Sequence, residues 1–350
     1  MIKEEEFKEI KYYLEKAENP LVFFDDDHDG LTSYMLLKKN YEKINGVIVK
    51  GGMKEEEIYN RKIDEYKPDV IFVLDRAEIS QELIDSTNVP IIWIDHHPVL
   101  DRKGVKYFNP RKNDKDDSRP VSYWCYQLVK NNLWIGLVGI IGDYHYPKEL
   151  VENFEYKELL NDHERIEDIL YDSKLGLLVR LFNFILKGRT TQVRKNINIL
   201  LSIENPYDIL DQKNSKGKFL FNYYKKVNKE YKILLNKAEK NVSDDKILLF
   251  VYPDNKLSLS ASVSEELKYL HPDKLVIVAR QKEDYMAISL RSNDIILPPL
   301  VKKSLEGLDG YGGGHDRAVG ASVNRNDFMK FINNIREYVK EQKRLLFQKS

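Results

Sequence analysis

The sequence has 350 residues, enough for two domains with separate cores, and 42% of them are hydrophobic, which is typical of globular proteins and argues against disorder. Lysine plus arginine and aspartate plus glutamate are equal at 56 each, so net charge neither favours nor excludes nucleic acid as a partner. The single cysteine, Cys125, excludes an intrachain disulfide and a multi-cysteine zinc site. No apolar run is long enough to cross a bilayer, and the first residues are too acidic for a signal peptide, so we expect a soluble, cytoplasmic protein.

Apolar runs alternate with helical patterns in the first hundred residues. An amphipathic helix is predicted at 3–17. The strands predicted after it are 21–24, 47–49, 70–74 and 90–94, and the helices between them are 31–41, 54–66 and 79–86. This alternation is typical of βαβ units around a parallel sheet, in which ligands bind at the carboxyl ends of the strands.

The pattern becomes helical after residue 121 and changes again near 245. Helices are predicted at 122–129 and 134–141, then in short segments over 147–212, and a lysine-rich helix at 222–241 can connect two bodies. In the last hundred residues the predicted strands are 246–252, 275–279, 285–290 and 318–323, the predicted helices are 260–269, 295–306 and one from 326, and a glycine cluster lies at 310–314. The fold class predicted is α/β, with a parallel-sheet domain and a helical extension joined by a long helix to a smaller α/β domain.

Three acidic residues, Asp25, Asp27 and Asp29, lie at alternate positions where the first predicted strand ends. Their mutual repulsion would be severe in a buried setting unless a cation lay between them, and a divalent metal is the simplest such cation. A solvated acidic loop with an Asx turn is the alternative interpretation of this stretch.

Further ligand-type residues follow other elements of the same domain. Asp75 comes after the third strand, Asp95, His96 and His97 after the fourth, and Asp143 after an apolar helix. Each has an ordinary structural alternative: a helix cap for Asp75, packing for a histidine, an Asx turn for Asp143. Oxygen and nitrogen donors without a thiolate favour manganese, magnesium, iron or zinc in a roughly octahedral site. These ligand-type residues are more than a single ion needs. Two neighbouring ions would use them, and a pair of ions suits in-line hydrolysis of a phosphodiester.

These motifs together resemble those of the DHH phosphoesterases. The Asp-x-Asp-x-Asp-Gly form is similar to the RecJ branch, and above all to archaeal RecJ-like exonucleases; Phe23 stands where other branches have a histidine. The resemblance extends to Asn109-Pro110 and to the end of the chain. There, 288–292 (Ile-Ser-Leu-Arg-Ser) and 312–315 (Gly-Gly-Gly-His) look like the substrate-binding DHHA1 domain. The resemblance implies three parts of the chain: a DHH catalytic domain at 1–214, a helical connector at 215–244 and a DHHA1 domain at 245–350.

The resemblance also implies a role for each motif residue. Two manganese or magnesium ions would be bound, with Asp75 as the bridging ligand; the implied ligands are Asp25, Asp27, Asp29, Asp75, His96 and Asp143. Asp95 would orient a neighbouring histidine, and His97 would contact the scissile phosphate or a metal.

Phosphate binding is expected at the end of the chain. Glycines permit close backbone approach, so amide groups can converge on an anion, although a glycine cluster is also often an ordinary turn. The predicted phosphate-binding residues are Arg291, Ser292, Gly312, Gly313, Gly314 and His315, with Arg119 and Arg317 as weaker candidates. A track for nucleic acid is possible along Lys225, Lys226, Lys229 and Lys232, near Tyr223 and Tyr224, although such a lysine face is usually only solvated.

The function expected from the resemblance is an exonuclease that hydrolyses single-stranded DNA or RNA from an end, without the additional nucleic-acid-binding domain of bacterial RecJ. One alternative is a nanoRNase or cyclic-dinucleotide phosphodiesterase acting on very short substrates. Another is a binding module without catalysis, like the degenerate family member in replicative helicases. A replication or repair protein is an expected partner, and a membrane is not.

Overall fold

A computed structural model describes residues 1–50, 55–254 and 257–347, and they form two compact units. The first unit is Met1–Tyr224, and the second begins at Lys225. The boundary lies inside one 25-residue helix, Ser215–Glu239. Among the described residues, none of the helices has the length and apolar character that a bilayer crossing requires.

The first unit is built on a five-stranded sheet in which every neighbouring pair is parallel. Its strands, which lie in the order β2-β1-β3-β4-β5, are β1 (Pro20–Asp25), β2 (Asn45–Val49), β3 (Val70–Leu74), β4 (Ile91–Ile94) and β5 (Lys106–Phe108). The central strands β3 and β4 are apolar and buried at every position, as both-sided burial in a parallel sheet requires. Because all five strands run the same way, their carboxyl ends meet at one edge.

Helices pack around this sheet and form the helical extension of the first unit. They are α1 (Glu4–Lys16), α2 (His28–Asn40), α3 (Glu55–Tyr66), α4 (Gln81–Asp85), α5 (Val121–Val129), α6 (Leu133–Gly142), α7 (Lys148–Val151), α8 (Ile166–Asp172), α9 (Lys174–Ile185), α10 (Thr190–Leu201) and α11 (Pro206–Leu210). Local capping fixes where several begin. Asp27 accepts from the Gly30 amide at the start of α2, and Ser80 and Ser173 cap α4 and α9 in the same way.

The second unit has its own sheet and core. The strands are β6 (Ile247–Pro253), β7 (Leu275–Gln281), β8 (Tyr285–Arg291), β9 (Gly310–His315) and β10 (Ala318–Asn324), in the order β6-β7-β8-β10-β9. Only β6 and β7 pair in parallel. The helices are α12 (Ser215–Glu239), which crosses the unit boundary, α13 (Ser260–Leu270), α14 (Leu297–Ser304) and α15 (Phe328–Phe347). Ile277, Leu290, Val319 and Phe331 are among the side chains of its core.

The predicted fold class is confirmed, and the elements differ from the predicted ones in three places. The connecting helix begins at Ser215 rather than 222, because the Asn214 side chain accepts from the Gly217 amide and starts it earlier. Strand β5 was not predicted, since three residues carry too little periodicity. The glycine cluster is strand β9 rather than an irregular segment. In the helix predicted at 54–66, position 54 lies outside the described residues.

Candidate metal centre

Three strands of the first unit deliver acidic or imidazole side chains to the carboxyl edge of the sheet. Asp25 is the last residue of β1, Asp75 follows β3, and Asp95 follows β4. Asp75 has a left-handed backbone with a φ of +57°, which is uncommon for a residue other than glycine, and its amide donates to the Ile94 carbonyl at 3.0 Å. Aspartate adopts this conformation more readily than most residues, and the bond to the Ile94 carbonyl holds Asp75 at the carboxyl edge of the sheet.

The structure brings the predicted ligands together in three overlapping groups. Within each group, one donor atom per residue lies within 4.8 Å of the others. The groups are Asp25, Asp27 and Asp75; Asp29, His96 and Asp143; and Asp75, His96 and His97. Asp75 and His96 each belong to two of these groups, so the three form one continuous cluster.

His96 is oriented so that one ring nitrogen faces the carboxylates. Its Nδ1 lies 3.0 Å from the Ser118 carbonyl, which can accept only from a protonated Nδ1. Its Nε2 lies 3.5 Å from Asp75 Oδ1 and 3.6 Å from Asp143 Oδ2. Burial alone would lower the pKa of His96, but the charges of Asp143 and Asp29 raise it. The raised pKa favours a protonated His96 in the metal-free protein, and release of the Nε2 proton would leave a lone pair that a cation could bind beside the carboxylates.

Asp95 lies behind the cluster and holds His97. The carboxylate is fully buried, and its Oδ1 lies 2.7 Å from His97 Nδ1. Its Oδ2 accepts from Tyr107 Oη at 3.2 Å and from Asn109 Nδ2 at 3.3 Å. Asn109 also donates to the His97 carbonyl at 2.9 Å. Asp95 thus holds the ring of His97, and Asn109 completes the support of this histidine.

Asp29 is held by the first turn of helix α5. Its two carboxylate oxygens accept from the amides of Val121 and Ser122, each at 2.8 Å. An anion is stabilised at a helix N-terminus, where backbone amides lack partners within the helix. Asp29 therefore ties α5 to the cluster, whether or not it also contacts a metal.

Burial raises the pKa of most carboxyls in the cluster. It raises the pKa of Asp25 to about 7, against the opposing charge of the paired Arg76, and the pKa of Asp143 to about 6. The pKa of Asp75 lies well above the ordinary value, because burial and the neighbouring carboxylates act in the same direction. For Asp27, burial is outweighed by the charge of His28 and the Gly30 amide, so its pKa is lowered.

The donor set fits a hard divalent cation. The three groups contain carboxylate oxygens and imidazole nitrogens, and no thiolate occurs among them. Oxygen-rich sites with one or two imidazoles suit manganese and magnesium. A divalent cation at these groups would also offset the repulsion that raises the carboxyl pKa values.

Sequence reasoning missed the role of His28, which lies between two predicted ligands. Both of its ring nitrogens are buried and form no hydrogen bond within the described part of the chain. Its ring packs against Gly142, where an added Cβ atom would overlap the ring Cδ2. His28 therefore contacts the backbone next to Asp143, and no local pattern in the sequence indicates this contact.

The phosphate-binding residues predicted in the second unit lie together at one end of its sheet. Ala318 of β10 is the Cα partner of Arg291 on one side and of His315 on the other. Arg291 is ion-paired with Glu265, whose pKa is lowered to about 2 by Arg291 and Lys268 in spite of burial. Their phosphate-binding role stays a prediction.

The remaining members of this set have distinct settings. The hydroxyl of Ser292 is buried and accepts from the amides of Asp294 and Ile295. The glycines Gly312, Gly313 and Gly314 lie in the exposed edge strand β9, paired with Ala321, Gly320 and Val319 of β10. An antiparallel ladder directs successive amides to opposite sides, so these amides do not converge as a glycine turn would allow.

Other predicted phosphate contacts lie elsewhere. Arg119 pairs with Asp117 and lies 4.3 Å from the centroid of the Trp124 ring, so its guanidinium is already engaged. Arg317 is exposed. The four lysines of the predicted track are on α12 and are all exposed, whereas Tyr224 is buried and Tyr223 donates to the Lys187 carbonyl.

Comparisons with known proteins find related folds. Residues 218–341 match the DHHA1 domain family. RecJ from Thermus thermophilus in complex with Mn²⁺ superposes with a TM-score of 0.70 at 14% identity, over 96% of this chain and 54% of RecJ. An exonuclease RecJ bound to manganese gives 0.65 at 17% identity, over 97% and 94% of the two chains. The DHH domain of a protein described as a ribosomal-protein family member gives 0.69 at 14% identity, over 96% and 89%.

The fold therefore defines an α/β protein of two units, and the match to the DHHA1 domain family covers most of the second unit. The chain shares the fold of these RecJ and DHH-domain structures, as its motifs predicted. It spans about half the length of the Thermus thermophilus RecJ chain. The search of curated proteins finds no match.

Proposed function

We propose that this protein is a phosphodiesterase that uses two divalent metal ions, Mn²⁺ or Mg²⁺. The observation that supports it most directly is the position of Asp75, whose carboxylate belongs both to the group with Asp25 and Asp27 and to the group with His96 and His97. Asp29, His96 and Asp143 form a further group that shares no residue with the first. Two ions at these groups would have Asp75 between them.

Different residues would bind the metal ions, contact the phosphate and orient the ligands at such a site. Asp25 and Asp27 would hold one ion, Asp29, His96 and Asp143 would hold the other, and Asp75 would be a ligand that both share. When bound, divalent ions supply Lewis-acid stabilisation of the phosphoryl group and activate water. His97, held by Asp95 and one-fifth exposed, can donate a hydrogen bond to a phosphate oxygen. The backbone support of His96 and Asp29 fixes their donor atoms before substrate binds.

The substrate we propose is single-stranded DNA or RNA, hydrolysed from an end. Two structures of the same fold are described as RecJ bound to Mn²⁺ and as an exonuclease RecJ bound to manganese, which supports this substrate class. A ladder of end-labelled oligonucleotides tests it. Digestion confined to two- to five-nucleotide substrates would instead favour the nanoRNase alternative.

The experiment that tests catalysis compares wild type with Asp75→Asn. Asparagine adopts the left-handed backbone of this position readily, and the raised pKa of Asp75 favours its protonated form in the metal-free protein, so the variant should fold. We expect Mn²⁺-dependent release of nucleotides to fall by about a hundredfold or more, because both ions lose a ligand.

Asp85→Asn is the matched control, since Asp85 is the last residue of α4 and its carboxylate accepts from Gln81 of the same short helix. It should retain full activity. Equal activity of Asp75→Asn and wild type would contradict the proposed role of Asp75. Absence of hydrolysis in wild type, with intact oligonucleotide binding, would favour the binding-module alternative.

A further inference from the structure

A lysine that the motifs do not include lies beside the metal centre at the same sheet edge. Asp25, the last residue of β1, is the Cα partner of Val49, the last residue of β2. Asp26 and Lys50 therefore follow the ends of two neighbouring strands. Lys50 does not extend into solvent. Its Nζ donates to the carbonyls of Leu186 and Gly188, at 3.1 and 3.2 Å.

These two hydrogen bonds fix the turn between α9 and α10. The carbonyl between them, that of Lys187, accepts from Tyr223 Oη at 2.5 Å, so three successive carbonyls are bound. Gly188 has a φ of +113°, and a Cβ atom there would lie 2.7 Å from Tyr223 Oη. The turn therefore requires glycine at 188 and is held in one conformation by Lys50 and Tyr223.

The anchored turn carries two further cations, Lys187 and Arg189. Lys187 is partly exposed and Arg189 is exposed, and within the described residues neither side chain has a hydrogen bond or ion pair. Both residues flank Gly188, whose carbonyl accepts from Lys50, and Lys50 follows the β2 residue that is the Cα partner of Asp25. Lys187 thus lies near the acidic stretch whose flanking residues, Asp25 and Asp27, form a metal group.

Lys50 holds this turn in place, which leaves the side chains of Lys187 and Arg189 able to bind a ligand. Lys50 already supplies the structural tie, so Lys187 and Arg189 are not needed to hold the turn. The turn at 186–189 itself carries these two accessible cations and no carboxylate. An excess of accessible positive charge on a rigid backbone, next to a site for phosphodiesters, is suited to a phosphate group.

We propose that Lys187 and Arg189 bind a backbone phosphate of a single-stranded nucleic acid, adjacent in the strand to the phosphodiester held at the metal centre. The proposal rests on the function proposed above and adds a contact to it. Because the contact is to phosphate, it strengthens binding of any sequence and adds no base preference.

The test measures binding of a 12-nucleotide oligothymidylate in Ca²⁺ over a series of salt concentrations. In Lys187→Ala we expect about fivefold to tenfold weaker binding at low salt, and a slope of log K against log salt that is shallower by about 0.7, the value for one phosphate contact to a single strand. Loss of Arg189 as well should reduce the slope by a similar further amount. Hydrolysis of bis(p-nitrophenyl) phosphate in Mn²⁺ should not change, because that substrate has no second phosphate.

Arg165→Ala is the matched control, since Arg165 is an exposed arginine of the same unit that pairs with Glu167. It should leave both the affinity and the slope unchanged. The proposal is wrong if Lys187→Ala binds like wild type, if it loses bis(p-nitrophenyl) phosphate hydrolysis in parallel, or if wild type hydrolyses that substrate but binds no oligonucleotide. Absence of both activities in wild type would contradict the proposed phosphodiesterase function itself.

Discussion

The buried carboxyl groups at the sheet edge differ in how well the surrounding residues compensate for their loss of hydration. Asp29, Asp75 and Asp95 are almost fully buried, with exposed fractions of 1%, 2% and 0%. Asp95 is satisfied by Tyr107, Asn109 and His97, and Asp29 by two backbone amides. Asp75 instead faces other carboxylates, which add to the effect of burial on its pKa. At the residue scale, Asp75 therefore depends most on a bound cation.

The first prediction concerns the pH dependence of the metal-free protein. The pKa values of Asp25, about 7, and Asp143, about 6, exceed the ordinary value of 3.8. A pKa raised by folding gives a contribution to stability that is complete below the unfolded pKa and is lost as pH rises through the folded pKa. In chelator, the melting temperature should therefore fall between about pH 5 and about pH 7.5. The raised pKa of His96 acts in the same direction.

The affinity for Mn²⁺ should depend on pH in the opposite direction to the stability of the metal-free protein. Binding requires the ionised carboxylates, so affinity for Mn²⁺ should rise over the same pH range with release of protons, measurable by calorimetry in two buffers. Asp117 and Glu265 have pKa values of about 2, so their contributions do not change over this range. The double variant Asp25→Asn, Asp143→Asn should flatten the pH dependence in chelator. A metal-free wild type that is more stable at the upper end of the range than at the lower end would contradict the assignment.

At the scale of elements, the position of Asp143 depends on a close contact between the end of helix α6, which is a glycine, and the start of helix α2. Gly142 is the last residue of α6, and His28 is the first of α2. The His28 ring occupies the space that a side chain at 142 would need. Close approach of the two helices thus fixes the backbone next to the Asp143 carboxylate.

The second prediction follows from this contact. Gly142→Ala would place a Cβ atom where the His28 ring lies, so the ring or the end of α6 must shift. We expect Mn²⁺ affinity to fall by about tenfold, the lower range for loss of groups that position ligands. The measurement is Mn²⁺ titration followed by electron paramagnetic resonance.

Gly136→Ala is the matched control within the same helix, because a Cβ atom there meets Tyr126 at an ordinary distance of 3.4 Å. It should bind Mn²⁺ like wild type. Adding His28→Ala to Gly142→Ala removes the clash and should restore part of the affinity. If the single and the double variant bind Mn²⁺ equally weakly, the contact between α2 and α6 is not the cause.

The sequence predicted those parts of the site that follow from strand periodicity. Asp25, Asp75 and Asp95 each follow an apolar run, and parallel strands must present such residues at one edge, so their proximity is predictable from order alone. Contacts between distant segments have no such signal. The bond between Ser118 and His96 spans 22 residues, those from Lys50 to the turn at 186–188 span 136 and 138, and no local pattern encodes them.

The residues predicted to bind metal and those predicted to bind phosphate lie in different units of the molecule. All residues of the metal groups lie in Met1–Tyr224, a unit whose sheet has its own core. Arg291, Gly313 and His315 lie in the unit that begins at Lys225, whose core is built from other side chains. A change in the second unit that preserves its fold should therefore leave metal binding intact.

The third prediction uses Gly313, because a side chain can be added there without disturbing the fold. Nothing within the described residues lies within 4 Å of a Cβ atom at 313, and the residue is paired with Gly320 in the middle of the β9–β10 ladder. Alanine loses less conformational entropy than glycine in a strand, so Gly313→Ala should be as stable as wild type or slightly more so.

If the backbone of β9 approaches the substrate, the added methyl group will obstruct it. We then expect the KM for a labelled oligonucleotide to rise by about tenfold, while Mn²⁺ affinity and hydrolysis of bis(p-nitrophenyl) phosphate stay at wild-type values, because both depend on the first unit alone. A variant with unchanged KM for the oligonucleotide would show that the open face at Gly313 is not a substrate contact. A parallel loss of Mn²⁺ affinity would instead contradict the independence of the two units.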